Sequence, residues 1–382
     1  MSTVSERLSV FTHAKLCVVH DDAGEDRSVL VAPAYNITAE LVNFILTSSG
    51  GLTFVALTDE RAAAFMLEYM PRTMRDERQQ AASASLVQYT SVEAREGVTT
   101  GISAADRATT ISVLGSASPQ PRELVKPGHI FPVEARSGGV LVKASVPEAA
   151  LDTVRLAGYT DAALFVDLLG TSGDLLGREQ AAAWTLAHNI PFIAISELVQ
   201  YRLNHEPLIR RLSEATIPTH AAGEVRVIAY SSSIHDVEHL ALVKGTLKTT
   251  ESVLVRVQVE HTIADVFGGN TPPSRQQIGN ALQAIAEHGS GVILYLRRAS
   301  LLDTPLFATS EVHPTASAAT AAATSMREYG VGAQILRDLG ISSIELLSST
   351  QRALVGLDSF GITVARQRPI PEYTPDGKES SP

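Results

Sequence analysis

Two short runs carry the residues best suited to chemistry: Gly97-Val98-Thr99-Thr100-Gly101-Ile102-Ser103-Ala104-Ala105-Asp106-Arg107 and Pro127-Gly128-His129-Ile130-Phe131-Pro132. In the first, glycines and threonine hydroxyls precede an alanine-rich stretch whose natural N-cap is Ser103. Backbone N–H groups and hydroxyls gathered at a helix N-terminus suit an anion such as a phosphate. Taken alone, the run reads more simply as a strand-to-helix turn with a capping serine. His129 also has two readings, a functional imidazole or a buried one satisfied by backbone.

The surrounding pattern alternates strands and helices. Leu16 to Val19, Val29 to Val31, Leu52 to Leu57, Ala163 to Leu169 and Pro191 to Ile195 are short apolar strands. Thr38 to Leu46 and Arg178 to His188 read as helices, as does Ser196 to His205. Pro147 suits the first turn of a further helix, and Gly158 its stop. Leu208 to Leu212 reads as a basic, helix-compatible connector, followed by Pro218. Beyond it, Glu224 to Tyr230, Glu238 to Val243, Val253 to Val259 and Gly291 to Leu296 are strands. Ser274 caps a helix that runs to His288 and closes at Gly289. Ala318 to Ala323 reads as an exposed loop, partly helical at most. The expected fold class is α+β, in mixed α/β layers. Two domains are expected, 1–206 and 207–370, with a disordered polar tail over 371–382.

A chain of 382 residues, 45% hydrophobic and 19% charged, is long enough for two ordinary cores. The net charge of -10 disfavours a sequence-independent nucleic-acid binder. Cys17 is the single cysteine, which excludes an intrachain disulfide and a multi-cysteine zinc site. With no apolar run of membrane-spanning length and no signal-peptide shape at the N-terminus, the expected compartment is the reducing cytoplasm.

From about residue 16 to 205 the chain resembles 3,4-dihydroxy-2-butanone 4-phosphate synthase, carried by the two runs above and by Gly138-Gly139-Val140-Leu141. That family uses magnesium to convert ribulose 5-phosphate to the dihydroxybutanone phosphate and formate. The resemblance puts Thr99, Thr100, Asp106 and Arg107 in the substrate pocket, and His129 at the family's essential histidine. Its acidic loop, Arg-Glu-Asn-Glu-Gly-Asp, reads Gly24-Glu25-Asp26-Arg27-Ser28-Val29 here. In that register only Glu25 stands at the magnesium-ligand glutamate; a gapped register puts Ser28 there instead. Magnesium prefers hard oxygen ligands, so lost acids imply weak binding. The family's Arg-Gly-Gly-His-Thr becomes Lys143-Ala144-Ser145-Val146-Pro147, in which Lys143 keeps a cation for a phosphate. A catalytic glutamate becomes Asp167.

From about Ile217 to Pro369 the chain resembles GTP cyclohydrolase II. The carrying stretches are His239 to Gly245, Val253 to Val257, Gly291 to Arg297 and Tyr329 to Leu336. The two families commonly occur fused in this order. Cyclohydrolases hold zinc with three cysteines, whose positions are His261, Pro272 and Ser274 here, so zinc is not expected. Arg256, Glu260 and Gln277 are left at nucleotide-contact positions and Arg327 at that of the arginine nucleophile; each is equally an ordinary surface or salt-bridged residue.

The expectation is therefore a divergent paralogue of the bifunctional riboflavin protein, a pseudoenzyme with both parent activities lost or severely reduced. The alternatives are an enzyme repurposed for another phosphorylated small molecule, or weak residual synthase activity in the first half. The implied partners are a phosphosugar or nucleotide and, from the parent families, a second copy in a homodimer, with no nucleic acid and no membrane.

Overall fold

The computed structural model describes residues 3–22, 26–71, 86–234, 237–248, 250–267, 274–298, 318–348, 357 and 360–373. The chain divides into two compact units, the first Met1–Arg202 with Ser317–Ala323 and the second Leu203–Ala316 with Thr324–Pro382. Each is built on a seven-stranded sheet.

In the first unit, helix α1 (Val4–Ala14) opens on a capping box in which Thr3 and Glu6 satisfy each other's backbone N–H groups. Strands β1 (Cys17–Asp21), β2 (Arg27–Pro33) and β3 (Phe54–Leu57) are buried along their whole length, which explains the apolar runs at Cys17-Val18-Val19, Val29-Leu30-Val31 and Phe54 to Leu57; the polar residues His20, Asp21, Arg27 and Ser28 are buried with them. Between them lie helix α2 (Ala39–Ser49), capped by Thr38, and, after β3, helix α3 (Asp59–Ala64). Strand β4 (Val92–Ala94) leads through the glycine-threonine turn into helix α4 (Ala104–Leu114). Strand β5 (Leu124–Glu134), helix α5 (Val146–Leu156), strand β6 (Ala162–Asp167), helix α6 (Arg178–His188), strand β7 (Phe192–Ala194) and helix α7 (Ile195–His205) follow. The strand order is β4-β5-β3-β6-β2-β1-β7. Val18, Leu30, Val55, Leu164 and Val166 of the sheet pack on Val42 and Ile45 of α2 and on Ile111 and Leu114 of α4. Pro147 is the second residue of α5, and Gly158 stops that helix at φ +84.

The second unit orders its sheet β14-β13-β11-β12-β10-β9-β8. Its elements are β8 (Ile209–Thr219), β9 (Gly223–Ser232), β10 (Glu238–Lys244), β11 (Val253–Val259), helix α8 (Thr262–Phe267), helix α9 (Ser274–His288), β12 (Gly291–Leu296), helix α10 (Ala318–Asp338), β13 (Ser343–Ser348) and β14 (Thr363–Pro369).

Three expectations need correction here. The stretch 208–212 is not a helical connector but the start of β8, an exposed edge strand. Its charged residues fall on both faces, so no alternation marks it, and Pro218 is tolerated because an edge strand has one unpaired side. The alanine run 318–323 forms the first turns of α10 rather than a loop, as expected of the residue with the highest helix propensity. Ser274 begins α9 as its first residue, and its hydroxyl bonds Asp265 rather than an N-terminal N–H. The expected tail falls mainly on residues 374–382, outside the described residues; before it, Tyr373 donates to Glu287 at 2.8 Å.

Candidate functional site

The turn between β4 and α4 is folded on itself by its own side chains. Asp106 is buried, and its Oδ2 accepts the Thr99 hydroxyl at 2.8 Å and the Gly101 N–H at 3.0 Å. Those bonds, Thr99 first, hold the Asp106 carboxyl below the usual range. Ser103 caps α4 by accepting the Asp106 N–H at 3.1 Å. Arg107 reaches back to the Ile102 carbonyl at 3.1 Å and to the Thr53 hydroxyl at 2.9 Å, tying the turn to the start of β3. Thr100 is exposed at the tip. Thr99, Asp106 and Arg107 thus shape the turn, and Thr100 with the backbone is what faces outward.

His129 stands beside this turn, on β5. Its Nδ1 lies 2.8 Å from Oε2 of Glu93, and its backbone N–H donates to the same oxygen at 3.1 Å. The other oxygen, Oε1, accepts the Thr110 hydroxyl at 2.8 Å. The His129 side chain is 44% exposed and that of Glu93 only 10%, so the pair has a wet end and a dry end. Two glycines make this closeness possible. Gly101 has φ +77, and a Cβ there would overlap the Glu93 carboxylate and come within 2.7 Å of His129 Nδ1. A Cβ on Gly128 would overlap the Val92 backbone of β4. Glu93 was not singled out in the sequence; the available signal was one acid inside a buried three-residue strand.

Strand register sets the far side of the site. Phe54 of β3 pairs with Phe131 of β5 and with Phe165 of β6. The rings form a ladder, with centroids 6.0 Å and 5.3 Å apart. Two residues before Phe131 comes His129, and two after Phe165 comes Asp167. Because strand side chains alternate with period two, both fall on the ladder's face at one end of the sheet, about 10 Å apart across two strand spacings. Asp167 is ion-paired to Arg27 at 3.1 Å, so the acid is balanced by a cation from β2. Lys143 stands instead by Glu148, a buried carboxyl that burial pushes up and Lys143 pulls back down. Glu148 also accepts the Arg136 N–H at 3.0 Å and the Ser145 hydroxyl.

Glu25, the expected magnesium ligand, lies outside the described residues. Among the described residues no three of His, Cys, Asp and Glu converge as a metal centre. Asp167 is held by Arg27, Asp106 by the turn, and Val146 is a buried alkyl group. The described side chains do not by themselves form a magnesium centre.

In the second unit Arg256 is half-buried, donating to the Leu347 carbonyl at 3.1 Å and to Gln258 at 2.9 Å. Gln258 donates to Ser274 at 2.8 Å, and Ser274 donates on to Asp265. Tyr295 donates to the other Asp265 oxygen at 2.6 Å. Burial and the adjacent Asp265 push the Tyr295 phenol up. Glu260 accepts the Arg298 N–H at 3.0 Å and the Thr262 hydroxyl at 3.0 Å. Gln277 is half-buried on α9 and Arg327 half-buried on α10. His261 Nδ1 accepts the Ala264 N–H at 3.4 Å, as an N-cap. Thiolates suit zinc; a serine hydroxyl bonded on both sides does not fit that donor set. Among the described residues, no helix is long and apolar enough to cross a membrane.

Comparison with known proteins places this geometry. Residues 5–201 match the family model for 3,4-dihydroxy-2-butanone 4-phosphate synthase, and residues 210–369 that for GTP cyclohydrolase II. A riboflavin biosynthesis protein RibBA of Nocardia farcinica is 36% identical over 365 residues, covering 93% of this chain and 86% of its own. A RibBA of Bacillus cereus is 35% identical, covering 96% of this chain and 93% of its own. The solved structure of RibBX, a two-domain 3,4-dihydroxy-2-butanone 4-phosphate synthase from A. baumannii, has a TM-score of 0.74 at 29% identity, over 96% of this chain and 98% of that one. The mixed α/β fold with a synthase domain ahead of a cyclohydrolase II domain is as expected. The expected loss of both activities is overturned: proteins 35–36% identical over nearly the whole chain are named for riboflavin biosynthesis. That expectation weighed replaced residues in both halves, the acidic loop and Val146 in the first and His261, Pro272 and Ser274 in the second, and did not include the Glu93–His129 pair.

Proposed function

Because this chain belongs to the family that joins 3,4-dihydroxy-2-butanone 4-phosphate synthase to GTP cyclohydrolase II, we propose that its first unit converts ribulose 5-phosphate to 3,4-dihydroxy-2-butanone 4-phosphate and formate. The observation that carries this reading is the closure of the glycine-threonine turn on His129, whose ring remains 44% exposed. An imidazole held at a donor-rich turn is equipped to move protons on a phosphorylated sugar. In the first step the imidazole Nε2 takes a proton from a sugar carbon. The C–H bond breaks, an N–H bond forms, and the electron pair stays on the sugar as an enediolate. Thr100 and the turn's backbone offer hydrogen bonds to the substrate's oxygens, and Lys143 offers a cation to its phosphate. Asp167, balanced by Arg27, accepts from sugar hydroxyls.

Magnesium enters this reading only through Glu25. The second unit is read as the cyclohydrolase-like half, with Arg256, Glu260, Gln277 and Arg327 as its candidates, the division falling at about residue 206. The protein is read as a cytoplasmic homodimer, with sedimentation as the check on its mass. The deciding experiment gives purified protein ribulose 5-phosphate, with and without magnesium, and follows formate by NMR. Formate from the sugar supports the proposal; none in either condition refutes it. GTP offered separately tests the second unit.

A further inference from the structure

Resting on His129 as the proton-transfer group, we propose that Glu93 is its positioning residue: a carboxylate that never meets the substrate and fixes which ring nitrogen does. Val92, Glu93 and Ala94 are all buried, and an acid there is costly unless its oxygens are bonded. Glu93 receives three donors: the Thr110 hydroxyl, the His129 N–H and His129 Nδ1. An ionised carboxylate can only accept, so Nδ1 carries the proton and Nε2 keeps its lone pair. The bonded nitrogen is the dry one, which leaves Nε2 on the exposed edge of the ring.

The carboxylate is itself held. Thr110 has one hydroxyl hydrogen and two acceptors, Glu93 at 2.8 Å and the Asp106 carbonyl at 3.2 Å. The charged and closer oxygen takes it. The Thr110 oxygen accepts the Ala94 N–H at 3.0 Å, so α4 anchors the strand that carries Glu93. Gly101 covers the pair from the turn. The other charged groups near the ring come from the turn and α4: Asp106 is occupied by Thr99 and Gly101, and Arg107 by Thr53 and the Ile102 carbonyl.

A purely structural role is the competing account, because β4 and β5 slip register between Val92 and Glu93. The His129 N–H bond alone would stitch that slip. The bond to the ring is an additional interaction, and it sets the tautomer.

Glu93→Gln separates the two accounts. Oε2 accepts both His129 bonds, so an amide oxygen placed there keeps both and keeps the tautomer. An amide nitrogen placed there gives up the backbone N–H, donates to Nδ1 and moves the ring proton to Nε2; nitrogen-15 NMR of the variant ring reads which form is present, and the second form has lost the base. In the full-length protein kcat of the second form should fall about 100-fold or more, as when the carboxylate behind a catalytic histidine becomes an amide, with KM within about twofold. Glu93→Asp should restore part of kcat. Thr110→Val, which removes only the anchor, should move kcat the same way by less. Nitrogen-15 NMR of the wild-type His129 ring should show Nδ1–H and an unprotonated Nε2, and needs neither turnover nor a variant. A folded Glu93→Gln protein whose ring carries its proton on Nε2 and whose kcat is unchanged, or a wild-type ring protonated at Nε2 alone, would overturn the assignment. A protein that leaves ribulose 5-phosphate untouched would sink the functional reading instead, and the ring spectrum would still decide the role of Glu93.

Discussion

Alanine at Gly101 is the sharpest perturbation the site offers. The residue sits at φ +77, where a side chain costs about 1–2 kcal/mol. The new Cβ would also overlap the Glu93 carboxylate and approach His129 Nδ1 at 2.7 Å, and these side-chain ends are pinned by their bonds to each other, to the His129 N–H and to Thr110. Displacing that carboxylate weakens charge-assisted bonds of about 1.5–3 kcal/mol each. A total of roughly 3–5 kcal/mol in a domain of this size lowers the melting temperature on the order of 10 °C. The kcat for formate release should fall about 100-fold, because His129 moves off line by a distance comparable to the 1 Å that costs that much. Gly97→Ala is the control. It has the same φ of +77, but its Cβ would meet only a Thr109 methyl at 3.4 Å. It should lose about 1–2 kcal/mol and little activity. Calorimetry and the formate assay on both variants decide the matter. If the two lose activity and stability equally, the close approach to Glu93 and His129 is not what requires glycine at position 101.

Other predictions concern pH, substrate contact and metal. His20 is buried against Ser28 and the Phe192 ring, and burial holds its pKa below 6.5 despite Asp22 and Asp26 nearby. A depressed histidine gives stability that is present above pH 6.5 and lost as the pH falls, with a slope of up to about 1.4 kcal/mol per pH unit. Urea unfolding of His20→Gln should therefore show a shallower acid slope than wild type between pH 6.5 and 5, and equal slopes would refute the cause. Lys143→Ala should raise KM for ribulose 5-phosphate about tenfold or more with a smaller change in kcat; an unchanged KM removes Lys143 from the phosphate site. Chelators should leave the second unit's melting temperature unchanged, since Gln258, Ser274, Asp265 and Tyr295 bond one another. A fall on chelation, with zinc recovered in the dialysate, would show a metal site there.

Where a local rule dominates, the sequence is legible. Thr38 and Ser103 cap the helices they precede, and the buried strands of the first sheet announce themselves as apolar runs. Where tertiary context dominates, it is not. β8 carries charges on both faces and a proline, and only pairing with β9 makes it a strand. β14 went unnoticed for a related reason: it is almost wholly exposed, so burial leaves no periodic trace in it. At the candidate site, the runs around Gly101 and His129 were visible in the sequence, and the structure sets them side by side. The partners were not, because Glu93, Thr110 and His129 come together only when β4, α4 and β5 fold against one another. Asp106 likewise takes its place from the folded turn, where its carboxylate accepts from Thr99 and Gly101 and braces the loop.

The aromatic ladder of Phe131, Phe54 and Phe165 has an effect beyond packing. It makes the two sides of the pocket mechanically one part, since His129 and Asp167 each hang two residues from an outer rung. The central rung, Phe54, is 6% exposed. A smaller side chain there would let the two walls drift independently, and the damage would look like a chemical defect although the altered atom touches nothing that reacts.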